Sequence, residues 1–542
     1  MRPRRRRSRL APAIPTDVGA ADDLFRAEDL AEGERRGISA AELRRQVGLL
    51  RSPPPPLVLV RPAVPGDGIE RIQDYDVESL VAAHARAAAE GRFTAFVPAS
   101  GAATRMFKSL LAVREARLTR RAELDRAADA GDRDAKDAAA FLQGLPRFAF
   151  LEALDAAVSA RGQSLAERRA GDARPILDAL LDHDALAYAE TPKGLLAFHR
   201  YPDEVRTAFD EHLVEASALA ADREHRVRLH MTVSPEHRAA FQARLEEVRS
   251  RREAASSGKL DVSFSFQDAS TDTIAVDLEG KPVRGGDGRL LFRPGGHGAL
   301  LANLNALGGD ILYVKNIDNV VHDRLRGAVV RWRRILGGRL VALQEKIHGV
   351  LRDLESERRQ EHAVAAGAEL LERELRIALP ADLAKGNLAK RVDLVRERLA
   401  RPIRVCAMVR SQGDPGGGPF WVREPDGRIT AQIVETAQVD RGNDAQRAIH
   451  SAATHFNPAD MVLAVRDHHG EPYDLRRFVD ASAVFIAEKS SGGRAIRALE
   501  HPGLWNGGMA GWTTLFVEVP AEIFQPVKAI NDLLGPAHQP AP

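Results

Sequence analysis

Cysteine is almost absent: Cys406 is the only one in 542 residues, so no disulfide framework holds the chain together. No run of about 18 apolar residues occurs, and no membrane-spanning helix and no membrane partner are expected. Excess charge is missing too, with 78 Lys and Arg against 76 Asp and Glu. Six of the cations are Arg2, Arg4, Arg5, Arg6, Arg7 and Arg9, and without them the net charge falls to about −4. The sequence pI of 8.7 therefore reports the tail. A basic folded face that could follow a phosphate backbone is not indicated, so no nucleic-acid partner is expected. The tail runs into LAPAIPTDVGAADD without an apolar h-region and does not read as a secretory signal. The G-x-x-x-x-G-K-[ST] and G-x-G-x-x-G phosphate loops, internal repeats and H-x-x-x-H or cysteine-based zinc spacings are all lacking.

What is present is the composition of a globular, multidomain, cytoplasmic protein, 44% hydrophobic and 28% charged. Residues 1–20 read as a disordered basic tail, either a targeting segment or an over-extended gene start, the second being favoured. Residues 21–91 read as an N-terminal helical segment, interrupted at Pro53–Pro56, where successive missing N–H donors forbid a helix. Residues 92–339 are expected to form an α/β core. Within it, residues 109–190 are rich in Ala, Arg, Asp and Leu and read as a helical insertion. Residues 340–400 form a second helical insertion, opening with Leu340, Leu343, Ile347, Leu351 and Leu354 at helical spacing. Residues 401–542 complete the core. Strands are expected at 93–97, 226–234, 261–267, 309–318 and 403–409, several of them continuous apolar runs suited to a sheet buried on both faces.

Four motifs could carry chemistry. Ser100, Gly101, Ala102, Ala103 and Thr104 form a small-residue turn between a strand and a helix, followed by Arg105. Such a junction aims backbone N–H groups and a helix dipole at one point, which suits an anion. Equally, it is a tight turn that needs small residues. Thr191-Pro192-Lys193-Gly194 presents an ammonium from a turn, or, taken as a lone lysine, is a solvated surface residue. Gly295, Gly296 and Gly298 surround His297 in a loop that lets a planar ligand approach the backbone, or a plain loop. After one helix comes Asn316-Ile317-Asp318-Asn319, a carboxylate at the end of a buried strand, where α/β sheets place ligands. It suits Mg²⁺ or serves as a helix cap. Late in the chain, Glu435 follows an apolar strand, a carboxylate that could meet a polar ligand or equally be merely exposed, and Asn506-Gly507-Gly508 reads as a turn. Asp467-His468-His469 matches a short phosphoesterase motif without its companion aspartates and reads as an exposed turn.

Taken in order, these pieces resemble the eukaryotic-type UDP-sugar pyrophosphorylases. That family carries G-G-x-G-T-R-L, P-K-G, M-T-S, F-x-Q, G-N-G-G, V-D-N, V-E-Y-S-E and N-A-G-N. The counterparts here are Ser100–Met106, Pro192–Gly194, Met231–Ser234, Phe266-Gln267, Gly295–Gly298, Ile317–Asn319, Val434–Gln438 and Asn506–Met509. The wording FVPASGAATRMFK, RPGGHGALLANLN, KNIDN, GDPGGGPFWV and THFNP resembles the uncharacterised bacterial family named domain of unknown function 4301, from about residue 25 to the end. The resemblance implies a glycosyltransferase-A-like, Rossmann-like α/β fold, a mixed sheet with helices on both faces. It also implies Mg²⁺-dependent transfer of a nucleotidyl group from a nucleoside triphosphate to a sugar phosphate, with release of pyrophosphate. It assigns Arg105 and Lys193 to catalysis, and Ser100–Thr104, Gln267, Gly295, Gly296 and His297 to the nucleotide. Asp318 falls to the metal, and Glu435, Asn506 and Gly507 to the sugar. Two loop glycines of that family are here Ser100 and Ala103, expected to narrow the space for a triphosphate. Gln438 stands where an acidic residue would be. A nucleotide-sugar-binding protein without catalysis and a glycosyltransferase of the same fold are the alternatives. The sequence carries no signal of oligomeric state.

Overall fold

The computed structural model describes residues 24–101, 103–379, 383, 386–413, 416–491 and 493–540. The expected tail and Ala102 lie outside the described residues. Among the described residues two compact units emerge: one within Met1–Pro55, Asp268–Ala299 and Ala481–Gly503, and a larger one within Pro56–Gln267, Leu300–Asp480 and Leu504–Pro542.

The larger unit is built on a ten-stranded sheet. Its central order is Thr513–Glu518, Ile403–Arg410, Met461–Ala464, Ile311–Val314, Phe93–Pro98, Arg226–Thr232 and Lys259–Ser265. Met461–Ala464 runs antiparallel to both its neighbours. The other strands of this run pair parallel. The expected mixed α/β sheet is therefore present.

Side-chain alternation explains why the strands read as continuous apolar runs. Along Ile403–Arg410, Val405, Ala407 and Val409 enter the cluster that contains Leu336, Leu340 and Leu343 of helix Asp323–Asp353. Cys406 and Met408 enter another, with Leu300, Leu301 and Leu304 of helix Leu300–Leu307. Both faces are covered, so both sets of alternate positions must be apolar. Leu340, Leu343, Ile347, Leu351 and Leu354 are all buried, as their spacing predicts.

From Lys108 to Leu181 the chain forms a series of short helices. Their apolar stripes, among them Leu110, Leu124, Phe141, Leu154 and Ile176, share one core with Val97, Leu229 and Met231 of the sheet.

Residues 21–91 are less helical than expected. Helices Ala27–Arg35, Ala40–Arg51 and Asp74–Ala89 are joined by strands Val58–Pro62, Val64–Pro65 and Gly68–Glu70. Leu59 is buried while Val58 is half exposed, the period-two pattern of a one-sided strand, here hydrogen-bonded to Gly418–Arg423.

The smaller unit also departs from the expected division. Residues 268–299 leave the 92–339 core, and 481–503 leave the 401–542 segment. The reason is strand pairing across sequence. Thr273–Val276 is flanked by Phe292–Arg293 and by Arg494–Glu500, which in turn pairs with Phe485–Ser491. Leu43, Val47 and Leu50 of helix Ala40–Arg51 share a core with Ile274, Val276 and Leu499, and Gln46 Oε1 accepts the Ile274 N–H at 3.0 Å.

Candidate functional site

Adjacent parallel strands of the larger unit bring the small-residue loop and Asp318 to one edge. Lys259–Ser265, Arg226–Thr232, Phe93–Pro98 and Ile311–Val314 are neighbours in that order. Their carboxyl ends lead to Gln267, Ser234, the Ser100–Arg105 loop and Asp318, the edge where α/β sheets bind ligands. The start of the loop is pinned by the neighbouring strand. Ala99 N–H donates to Thr232 O at 2.8 Å, and Ser234 Oγ donates to Ser100 O at 2.8 Å. The turn then runs through a 3₁₀ segment, Ala103–Phe107, and the α-helix begins only at Lys108. Arg105 therefore sits exposed on the 3₁₀ turn rather than on the first α-helical turn. Ala103 is fully buried, in the same core cluster as Val97, Met106 and Phe107. Its methyl group packs inward and does not narrow an anion site as expected.

Lys193 reaches this loop because the helical excursion that begins after Arg105 closes on itself. Thr104 Oγ1 donates to Ala189 O at 3.0 Å, Ala103 N–H to Thr191 O at 3.2 Å, and Lys193 N–H to Gly101 O at 3.4 Å. Its ammonium then bonds Asp318 Oδ2 at 3.0 Å and Val527 O at 2.9 Å. Lys528 adds a second ammonium to the same carboxylate oxygen at 3.1 Å. Asp318 Oδ1 is buried and has no hydrogen-bond partner among the described residues. That oxygen is a hard, unused acceptor, the kind of single carboxylate ligand around which Mg²⁺ keeps waters and phosphate oxygens.

The Asp318 turn is held from beneath. His212 Nε2–H donates to Ile317 O at 3.1 Å, and burial pushes the His212 imidazole down to about 4, so it stays neutral. Lys315 Nζ donates to Glu215 at 2.8 Å, and Arg333 binds the same carboxylate. Burial drives the Glu215 carboxyl up, but Lys315 and Arg333 outweigh it and hold it near 2. From above, the C-terminal segment closes on the turn: Val527 N–H donates to Asp318 O at 3.0 Å, and Gln525 N–H to Asn319 Oδ1 at 3.0 Å.

Residues 26–539 match the family described as domain of unknown function (DUF4301). The chain belongs to this family. No curated protein matches it. Among solved structures it is similar to the uridine diphosphate N-acetylglucosamine pyrophosphorylase of Trypanosoma brucei, at 13% identity over 91% of this chain and 74% of that one, with a TM-score of 0.42. It is also similar to UDP-glucose pyrophosphorylase of Leishmania major, at 12% identity over 93% and 77%, with a TM-score of 0.43. A variant of the Leishmania enzyme in complex with UDP-glucose gives 13% identity over 94% and 77%, with a TM-score of 0.42.

The late motifs of this DUF4301 chain also meet. Asn506 Nδ2 donates to Ile433 O at 3.1 Å and to Gln438 Oε1 at 3.3 Å, and Gln438 Oε1 also accepts the Glu435 N–H at 3.0 Å. Asn506 and Gly507 are buried, and Glu435 is half-buried. Gln438 thus holds the two motifs together, which a carboxylate there would do as an acceptor at the cost of burying a charge.

The glycine loop belongs to the smaller unit, and its glycines answer to packing within that unit. A side chain at Gly295 or Gly298 would strike the backbone oxygen of Thr271 or Pro502, and one at Gly296, where φ is +76°, the Glu500 carboxylate. The close approach that the sequence suggested for a planar ligand is made by the chain itself. Burial pushes the His297 imidazole down to about 4. Gln267 Nε2 is buried and without a partner among the described residues. A separate cavity of about 470 Å³, lined in part by Glu70, Arg71, Arg339, Arg376 and Trp421, contains none of the sequence-chosen residues.

Lys528, the Val527 carbonyl and the His212, Glu215 and Arg333 that stand with Lys315 beneath the turn escaped the sequence reading. Lys528 sits in Pro526-Val527-Lys528, which carries no motif. Lys315 lay in plain view, next to a buried strand, but its partner is 100 residues away.

Proposed function

We propose that the larger unit carries a nucleotidyltransferase-like site, at which a nucleoside triphosphate gives its nucleotidyl group to a sugar phosphate. The observation that carries this reading is the meeting of Lys193 and Lys528 on Asp318, hydrogen-bonded to the Ser100–Arg105 loop at the carboxyl ends of parallel strands. An oxygen of the acceptor phosphate attacks the α-phosphorus, the bond from that phosphorus to the α–β bridging oxygen breaks, and pyrophosphate leaves with that oxygen. The chemistry asks for positioning and fixed positive charge more than for covalent help. Lys193 is held in place by the Val527 carbonyl and Asp318, so its charge costs little reorganisation when the leaving group develops its own. Arg105 is a permanent cation on the same loop. Mg²⁺, when bound through Asp318 Oδ1, supplies further charge neutralisation on the phosphates. Gln267 is assigned to the base, and Glu435, Asn506 and Gly507 to the sugar. The order of motifs along the chain, which resembles that of UDP-sugar pyrophosphorylases, supports the same reading.

A second reading, a nucleotide-sugar-binding protein without turnover, is favoured by one observation: both ammonium groups lie on a single Asp318 oxygen, so much of the site's charge is already matched. Pyrophosphate release from a panel of nucleoside triphosphates and sugar phosphates, with and without Mg²⁺, separates the two. The transferase reading expects release with at least one pair, reduced by about 10²–10³ in Lys193→Ala and abolished in Asp318→Asn. Saturable nucleotide-sugar binding with no pyrophosphate from any pair would leave the second reading standing.

A further inference from the structure

A second cluster of chemically capable side chains lies elsewhere in the larger unit, on the turn that follows strand Met461–Ala464. Arg466 and Pro472 pair across the turn as an isolated antiparallel bridge. Asp467 Oδ1 accepts the N–H groups of His469 and Glu471, both at 2.9 Å. Arg466 fastens the turn to its surroundings, donating to Gly309 O at 3.2 Å, Gly470 O at 2.7 Å and Gly308 O at 2.6 Å. Gly470 takes φ +84° where the chain reverses. The two adjacent imidazoles are therefore carried on a backbone fixed independently of what they bind.

Facing them is Glu355, just past the end of helix Asp323–Asp353. Its position is set by its own N–H bond to Arg352 O at 3.2 Å and by its fully buried neighbour Leu354. The carboxyl end of a helix carries partial negative charge, which favours a cation. Glu355 Oε1 lies 2.9 Å from His468 Nε2 and 3.0 Å from His469 Nε2. The three ligand atoms all fall within 4.8 Å of one another. Ligands at about 2.0–2.1 Å around a tetrahedral ion stand roughly 3.3 Å apart, so only small movements separate this arrangement from three corners of a tetrahedron. His468 Nδ1 is buried, which leaves Nε2 as the nitrogen that a cation reaches. The His468 side chain is 12% exposed and that of His469 55%, so the fourth corner opens towards solvent.

The donor set decides the ion. Two imidazole nitrogens and one carboxylate oxygen suit a borderline transition metal; Mg²⁺ and Ca²⁺ prefer oxygen throughout. Two-His, one-Glu sets with an open fourth position are a zinc arrangement. We propose that Glu355, His468 and His469 form a Zn²⁺-binding site, with His468 Nε2, His469 Nε2 and a Glu355 carboxylate oxygen as ligands and water in the fourth position. The absence of zinc spacing in the sequence does not bear on it, because the carboxylate comes from 113 residues before the histidine pair. The site is independent of the nucleotidyltransferase reading and of Asp318.

The test is calorimetric titration of the full-length protein with Zn²⁺ after removal of metals by chelator and dialysis. The expected result is one saturable site whose affinity falls roughly tenfold or more in His469→Ala and in Glu355→Gln, with Mg²⁺ giving no competition. Both altered side chains are solvent-accessible, and circular dichroism checks that each variant is folded. Co²⁺ in place of Zn²⁺ should give the visible bands of a four-coordinate ion, lost in the same variants. Zinc binding that persists unchanged in His469→Ala and Glu355→Gln, or no saturable binding in the parent protein, would overturn the proposal.

Discussion

Asp318 shows how one residue can serve stability and chemistry with different atoms. Its Oδ2 takes two ammonium groups, one on the mostly buried Lys193 and one on the exposed Lys528, while Oδ1 takes none. Asp318→Ala strands the Lys193 charge in a largely desolvated place, and a loss of about 1–3 kcal/mol of stability is expected in urea unfolding. Lys528→Ala removes a partly solvated partner and should cost less than about 1 kcal/mol. Equal losses in the two variants would mean that Lys193 is solvated and not held as described. Asp318 was visible in the sequence as a carboxylate after a buried strand. Its two lysines lie 125 and 210 residues away, and local pattern holds no information about contacts at that range.

Helix Asp323–Asp353 shows how an element reads differently from inside and outside. Its apolar stripe is legible from spacing alone, but the reason for Gly337-Gly338 in its middle is not. A Cβ at Gly338 would collide with the backbone carbonyl of Leu80 in helix Asp74–Ala89, and one at Gly337 with the Tyr313 hydroxyl. The pair of glycines lets the second helix and the sheet approach. Gly349, on the same helix, has open space where a Cβ would go. Alanine favours a helix over glycine by about 1 kcal/mol, so Gly349→Ala should raise stability by up to that amount. Gly338→Ala should lower it by about 1–3 kcal/mol, because overpacking outweighs propensity. Thermal melts of the two variants check the signs, and a stabilised Gly338→Ala would refute the close approach.

For the larger unit as a whole, buried histidines set the response to acid. Burial holds His84 and His212 down at about 4, and His538 at about 3, against an ordinary 6.5. In the unfolded chain these groups bind protons at about pH 6.5, and in the folded one only near 3–4. Between those limits the unfolded state carries more protons, so stability rises with pH. The contribution is complete above about pH 6.5 and is lost as pH falls towards 4, each group adding about 1.4 kcal/mol per pH unit within the window. Melting temperature should therefore drop steeply between about pH 6.5 and pH 4.5. His538→Phe should flatten the slope, and an unchanged slope in that variant would remove His538 from the account.

The sequence by itself determined the α/β class, the buried strands, the helical excursion after Arg105 and the small-residue loop, because each is written in residues close together along the chain. Periodicity and composition act over one or two turns of structure, and there they suffice. Tertiary structure decided which of the chosen residues meet. Hydrogen bonds between the two ends of the excursion brought Lys193 to Gly101, and strand order set Gln267, Ser234 and Asp318 along one edge. The same pairing across sequence assigned the glycine loop to another unit, where its glycines make room for Thr271, Glu500 and Pro502. Burial turned the methyl of Ala103 inward, and the end of a long helix set Glu355 against His468 and His469. Most of these depend on packing and pairing between segments far apart along the chain, 85 residues for Thr104 and Ala189 and 113 for Glu355 and His468, which no local pattern encodes.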